Sequence, residues 1–156
     1  MFPTQNSLSA ASRKKIIAQL APLLSDAQDL YSQTKQAHWN VRGANFIGLH
    51  QLFDSIGAEV NEAVDTIAER IMQLGGSTQG TIRVAAKQSR LTEYPLTVSD
   101  SQKHVAALSS AIGQFTTFSR KAIDDTAAAG DAVTSDMLTG ITAGLDKQLW
   151  FVESHR

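Results

Sequence analysis

Cysteine is missing from all 156 residues of the chain. Disulfides, thiolate metal sites and thiol nucleophiles are excluded together, so any bound metal must be held by nitrogen and oxygen. Proline is scarce as well, with only Pro3, Pro22 and Pro95. Alanine, by contrast, is spread along most of the chain, a combination that suits long helices and disfavours strands. No apolar run of about 18 residues exists to span a bilayer. Met1 to Ala21 lacks a basic segment followed by an apolar stretch of secretory type, so a cytoplasmic location with no membrane partner is expected. An excess of one charge is absent too. The 14 basic and 15 acidic side chains leave a net charge of −1, which excludes a wholesale basic surface of the kind that grips nucleic acid. What remains is 42% apolar and 19% charged, neither disordered nor fibrous. A chain of this size buries roughly 68 to 70% of its unfolded surface. Residues 1–156 are therefore expected to form a single domain, with 1–10 as a flexible N-terminal segment.

The periodicity is helical throughout. Ile16, Ile17, Leu20, Leu23, Leu24, Ala27, Leu30 and Tyr31 recur at three- and four-residue spacings and predict a first helix from Ala11 to Trp39, kinked near its start by Pro22. Gly43 ends it and Asn45 is placed to cap the next. In that second helix Phe46, Leu49, Leu52, Phe53, Ile56, Val60, Val64, Ile67, Ile71 and Leu74 form a stripe running to Gly75 and Gly76. Residues 77–98 carry Gly, Ser, Thr and Pro punctuation around an apolar patch at Ile82–Ala86, which predicts a long connection with one brief helix. Ser99 and Gln102 read as a capping box opening a third helix that ends near Gly130, and Asp131 as the cap of a fourth ending near Glu153. Two helical hairpins joined by one long crossover resemble the ferritin-like four-helix bundle, an all-α fold whose crossover between helices two and three here carries a short extra helix.

The chemistry concentrates in 32 residues, where His38, His50, Asp54, Asp65 and Glu69 supply two nitrogens and three carboxylates. At about 100° per residue, with His50 as zero, Asp54 falls near 40°, Asp65 near 60° and Glu69 near 100°, so four donors share one face of the second helix. For any single one of them a solvated helix face is the plainer reading, and Asp65, Glu69 and Arg70 alone read as surface electrostatics. Together they suggest a metal site, yet Asp54 and Asp65 lie about 16 Å apart along the axis, too far to share one ion. Two copies packed antiparallel about a twofold axis near Val60 would bring His50 and Asp54 of one against Asp65 and Glu69 of the other, giving two identical sites per dimer. His38 can reach that region across the turn at Asn40–Ala44. Imidazole with carboxylate suits iron, zinc or manganese.

The stretch from Thr34 through His38-Trp39-Asn40 and Gly43 to Phe46, His50 and Asp54, followed by Asp65 to Arg70 and Gln73 to Gly76, resembles the mini-ferritin family called Dps, the DNA-binding proteins from starved cells. The resemblance continues through Tyr94-Pro95-Leu96, Arg120 to Ile123 and Asp146 to Glu153, so it covers nearly the whole chain. It implies a hollow homododecamer of four-helix subunits that oxidises Fe(II), preferably with hydrogen peroxide, and stores Fe(III) as a mineral. The family's inter-subunit ferroxidase ligands, holding one or two irons, fall on His38, His50 and Asp54 of one subunit and Asp65 and Glu69 of its mate. Trp39 matches a family tryptophan that intercepts radical by-products, or is a packed aromatic at a helix end. The resemblance also implies acidic residues lining threefold pores near Asp124, Asp125, Asp131 and Asp136. Asp131 and Asp136 are the pore candidates, and Asp124 and Asp125 are read as cap and surface residues.

DNA is the weaker partner. Met1 to Ser12 contains no Lys or Arg, the sole basic cluster is Arg13, Lys14 and Lys15, and a dodecamer would carry about −12, so no DNA binding is expected at neutral pH. His104 and His155 have no ligand partner at helical spacing and read as surface residues. The rival readings are a nucleoid-associated structural protein that binds and protects DNA and a plain interaction bundle.

Overall fold

The computed structural model describes residues 1–156 and contains five helices: α1 (Ala10–Asn40), α2 (Phe46–Gln73), α3 (Ile82–Gln88), α4 (Ser101–Ala128) and α5 (Ala132–Glu153). α1 packs on α2 and α4 on α5, each pair joined by a short turn; the pairs meet through α1 on α4 and α2 on α5, and α3 lies on α1. Gly43 (φ 117°) and Gly130 (φ 86°) supply the left-handed residues on which the two turns reverse. α4 begins beside the end of α1, where the Arg42 amide donates to the Ser99 carbonyl at 3.1 Å. Residues 74–100 must therefore travel back along the full length of α2, about 42 Å at 1.5 Å per residue. No tight turn could do that, and the long crossover is the consequence.

The core is one cluster of 26 buried residues. Leu20, Leu23, Leu24 and Leu30 of α1 meet Phe53, Ile56, Ile67 and Ile71 of α2, Leu108, Ile112 and Phe115 of α4, and Leu138 and Leu145 of α5. Of the residues assigned to the stripes, Ile17, Leu52 and Val64 are partly buried against this cluster, and Tyr31 and Phe46 are exposed, at 36% and 43%. α1 runs unbroken through Pro22. The missing amide there costs one main-chain hydrogen bond, which the packed leucines on either side outweigh.

The crossover is tied down by polar side chains of α1. Asp26, fully buried, accepts from the Arg90 amide at 2.8 Å and from its guanidinium at 3.0 and 2.5 Å, and that guanidinium lies 4.2 Å over the Phe118 ring. Ser89 donates to Asp29 at 2.6 Å, and Gln33 to the Thr92 carbonyl at 3.1 Å. Ahead of α1, the Phe2 amide donates to the Gly75 carbonyl at 2.6 Å, and Ser9 caps the helix by accepting from the Ser12 amide at 3.0 Å.

Three capping expectations are decided by geometry. Asp131 caps α5, as expected, accepting from the Thr134 amide. Asn45 occupies the cap position of α2 but makes no side-chain bond there. α4 is capped by Asp100 and not by Ser99: the Asp100 carboxylate accepts from the amides of Gln102 and Lys103. Either residue can cap, and the shift of one position follows from the main-chain bond that holds Ser99 against Arg42.

Candidate metal centre

The α1–α2 turn folds the end of one helix onto the first turns of the next, which brings His38 to His50. Their rings stack with centroids 3.8 Å apart at 21°. His38 Nδ1 lies 2.8 Å from the His50 carbonyl oxygen, and His50 Nδ1 lies 2.9 Å from that of His38. The His38 carbonyl is free for this because α1 ends at Asn40, within the last turn whose carbonyls have no helical partner. A carbonyl oxygen only accepts, so each Nδ1 must carry the hydrogen, and in the neutral ring the lone pair then falls on Nε2. Two reciprocal bonds thus fix the tautomer and orientation in the way that outer hydrogen bonds prepare imidazole for a metal.

Asp54 projects from the same side. Its Oδ1 is 3.8 Å from His38 Nε2 and 2.6 Å from Lys35 Nζ. The Lys35 ammonium, through its hydrogen bond and its charge, holds the Asp54 carboxyl below the usual carboxylate range against the opposing effect of desolvation. Lys35 also stands 6.0 Å from the Trp39 ring, and Phe46 covers His50 with centroids 5.2 Å apart. Trp39 itself is 68% exposed, so within the subunit it is not a packed aromatic.

The remaining candidate donors stay apart. Asp65 and Glu69 are exposed further along α2, and no three His, Asp or Glu side chains of one chain gather closely enough to hold a metal. A single subunit therefore brings two imidazoles and one carboxylate to the α1–α2 turn, with two further carboxylates displaced along the helix.

Three residues differ from their sequence reading. Asp131 is not placed to line a pore: it is 3% exposed, and both its oxygens accept from Arg70 Nη2 at 3.0 and 2.9 Å and one from the Thr134 hydroxyl. Burial raises its pKa, but the Thr134 hydroxyl and amide and the Arg70 guanidinium together outweigh it and leave the carboxyl below its ordinary value. Arg70 is likewise buried, not a surface charge, and also bonds Thr134 and Gln73 at 2.8 and 3.1 Å. Its spacing from Ala63, Ile67 and Leu74 already places it on the inward stripe. His104 is fully buried, with Nδ1 2.6 Å from the Tyr94 hydroxyl; its spacing from Leu108, Ala111 and Phe115 carries the same signal. Asp136 and Asp124 are exposed, Asp125 pairs with Lys121 at 2.6 Å, and His155 is half-buried. In the basic cluster Lys14 and Lys15 are exposed while Arg13 is half-buried.

Comparison with known proteins agrees with this architecture. Residues 17–156 match the ferritin-like domain family. A DNA protection during starvation protein of Agrobacterium fabrum is 39% identical over 152 residues, covering 97% of this chain and 94% of the relative. The solved Dps of Mycobacterium smegmatis superposes with a TM-score of 0.94 at 33% identity, covering 99% of this chain and 93% of that one. The Dps of Microbacterium arborescens, solved in a high iron form, gives 0.86 at 33% identity, covering 97% of both chains. With a ferritin-like bundle, a stacked histidine pair at its helical turn and near-complete alignment to these proteins, the chain belongs to the Dps family.

Proposed function

We propose that the protein is a ferroxidase and iron-storage mini-ferritin of the cytoplasm, oxidising Fe(II) preferentially with hydrogen peroxide and retaining Fe(III) as mineral inside a hollow homododecamer. The observation that carries this reading is the reciprocal locking of His38 and His50, each Nδ1 held on the other's carbonyl oxygen, with His38 Nε2 3.8 Å from Asp54. Asp65 and Glu69 of a twofold-related subunit complete the donor set, because on their own helix they lie too far along the axis. Two imidazoles and three carboxylates without thiolate suit one or two irons. In the reaction, two Fe(II) each give one electron to a hydrogen peroxide; its O–O bond breaks, and with two protons it leaves as two waters. Lys35 stands on Asp54 when iron is away and must yield that oxygen when iron arrives. Asp136, exposed beside the α4–α5 turn, is retained as the pore candidate.

A second reading is direct DNA binding; the name that the relatives carry speaks of DNA protection. Removing Fe(II) and peroxide protects DNA without touching it, and only Lys14 and Lys15 of the N-terminal basic cluster are exposed. The deciding experiment is anaerobic Fe(II) loading followed by peroxide, read by absorbance and by particle size. His50→Ala and Glu69→Ala should slow the initial oxidation with the shell intact. Glu62→Ala, an exposed carboxylate of the same helix outside the donor set, should not. A monodisperse monomer in light scattering, or equal slowing by Glu62→Ala, would refute the shared centre. A tight shift of plasmid by iron-free protein at about 150 mM salt, where charges are screened beyond about 8 Å, would place DNA binding first.

A further inference from the structure

The two donor groups of the proposed centre rest on different supports. His38, His50 and Asp54 are fixed by α1, through the reciprocal ring-to-carbonyl bonds and through Lys35. Asp65 and Glu69 are exposed, and where they point follows from how α2 is rolled about its own axis. α2 is tied to α5 at two places. Arg70 grips Asp131 and Thr134 at the start of α5, and Glu59 Oε2 accepts from Gln148 Nε2 at 2.6 Å near its end. At about 100° per residue from His50, Glu59 falls near 180° and Arg70 near 200°, so both ties leave one line of α2, about three turns apart. Asp65 and Glu69 lie between them along the chain. We propose that Glu59, Gln148 and Gly144 are positioning residues that set the roll of α2 and so aim Asp65 and Glu69 at the metal on the histidine pair of a twofold-related subunit. This rests on the ferroxidase reading, which supplies the metal and the shared centre.

The Glu59 tie exists because residue 144 has no side chain. A Cβ there would overlap Glu59 Oε1 and stand 3.3 Å from its Cδ. Inside the 22-residue α5, glycine is the least favourable residue after proline, and Gly144 has no positive φ that would require it. Room for the Glu59 carboxylate is what it provides. Gln148 shows the same preference for placement over local stability. It is 7% exposed. A carboxylate only accepts, so the amide presents Nε2 to Glu59, which leaves Oε1 buried with no partner. An apolar pair of the same shape would join the helices without that loss.

Magnitudes show why roll matters. With side-chain ends about 5–6 Å from the helix axis, a roll of about 10° carries a carboxylate about 1 Å. A metal–ligand distance tolerates about 0.2 Å. One tie alone lets α2 turn about its point of attachment, whereas a second on the same line, three turns away, removes that freedom.

The test is optical Co(II) titration of the full-length assembled protein, with light scattering on the same samples and hydrogen exchange of the metal-free protein. Gly144→Ala puts a methyl group where the Glu59 carboxylate lies; the end of a flexible side chain yields first, so α5 keeps its course while the tie breaks. The Co(II) concentration at half-saturation should rise at least fivefold in Gly144→Ala and in Glu59→Ala, with particle size unchanged. Glu59→Gln keeps an oxygen for Gln148 Nε2 and should stay within twofold of the native protein. In an Asp65→Ala/Glu69→Ala background, Gly144→Ala should add less than twofold, because the side chains it aims are gone. If Gly144→Ala does not fold, Glu59→Ala decides, since it only shortens a half-buried side chain. Native affinity in Glu59→Ala, equal weakening by Glu59→Gln and Glu59→Ala, or a fivefold loss that persists without Asp65 and Glu69 overturns the proposal. If removing Asp65 and Glu69 leaves Co(II) affinity unchanged, the shared centre of the ferroxidase reading fails, and exchange alone judges the tie: faster exchange over residues 59–73 in Glu59→Ala but not in Glu59→Gln supports it, and equal exchange overturns it.

Discussion

Asp131 offers the sharpest discrimination between two roles for one carboxylate. If it serves the subunit's own fold, Asp131→Ala strands Arg70, whose side chain is 10% exposed against 3% for Asp131, in a site with no other anion. Removing one member of a buried ion pair costs about 3–5 kcal/mol, a figure that includes the helix cap at about 1 kcal/mol. For a chain of this length, with about 2–4 °C of Tm per kcal/mol, that becomes a loss of roughly 6–20 °C. Arg70→Met should cost a similar amount, because it leaves the carboxylate buried and unpaired. The double variant should be far less damaging than the sum, since neither charge is then stranded. The measurement is urea denaturation at one fixed protein concentration, so that assembly does not distort the comparison. The pH dependence carries the same sign: a lowered carboxyl pKa stabilises fully above about pH 4 and is lost as pH falls through the folded-state value. Had Asp131 lined a pore, its removal would leave stability untouched and slow iron entry. A change below about 1 kcal/mol, well short of the range for a broken buried pair, refutes the ion-pair argument.

Lys35→Met should raise the affinity of the His38, His50 and Asp54 group for Co(II) several-fold, because the ammonium no longer competes for Asp54 Oδ1 at 2.6 Å, and should let the Asp54 carboxyl pKa climb toward its ordinary range; weaker cobalt binding in an optical titration would contradict this. His104 is neutral in the fold and its pKa is lowered by burial, so the unfolded chain gains a proton below about pH 6.5 that the folded one resists. Native stability should therefore fall as pH drops through that value, and His104→Gln should flatten the slope by at most about 1.4 kcal/mol per pH unit; parallel denaturation curves would argue against a buried neutral imidazole. Phe115→Ala, at a fully buried site, should cost about 3–5 kcal/mol by chemical denaturation, and a loss near zero would mean that the four-helix core is not packed as described.

The order of helices, the hairpin pairing and the extra helix in the crossover were legible in the residues alone. Apolar side chains at three- and four-residue spacing specify which face of each helix is inward, and glycines at 43, 75 and 130 mark where it must stop. The approach of His38 to His50 was legible for a similar reason, since a short turn between two long helices leaves their adjoining ends nowhere else to go. Spacing also separated Asp54 from Asp65, because helical rise is a property of the backbone and not of its neighbours.

What the pattern could not settle was the partner of each polar residue. Arg70 and Asp131 are 61 residues apart in sequence, and their pairing exists only because α2 ends where α5 begins. Read singly, one is a surface charge and the other a cap. His104 acquires Tyr94 through the path of the crossover, and Asp54 acquires Lys35 through the packing of α1 on α2. A helical period records that a side chain faces inward, but not whether a hydroxyl, a guanidinium or a carbonyl waits there. The tautomers of His38 and His50 belong to the same class, because the Nδ1 hydrogens are placed by two backbone carbonyls that only the folded turn brings within reach. Local periodicity is written in the chain one residue at a time, whereas a hydrogen bond between distant residues exists only once the tertiary fold has set their separation.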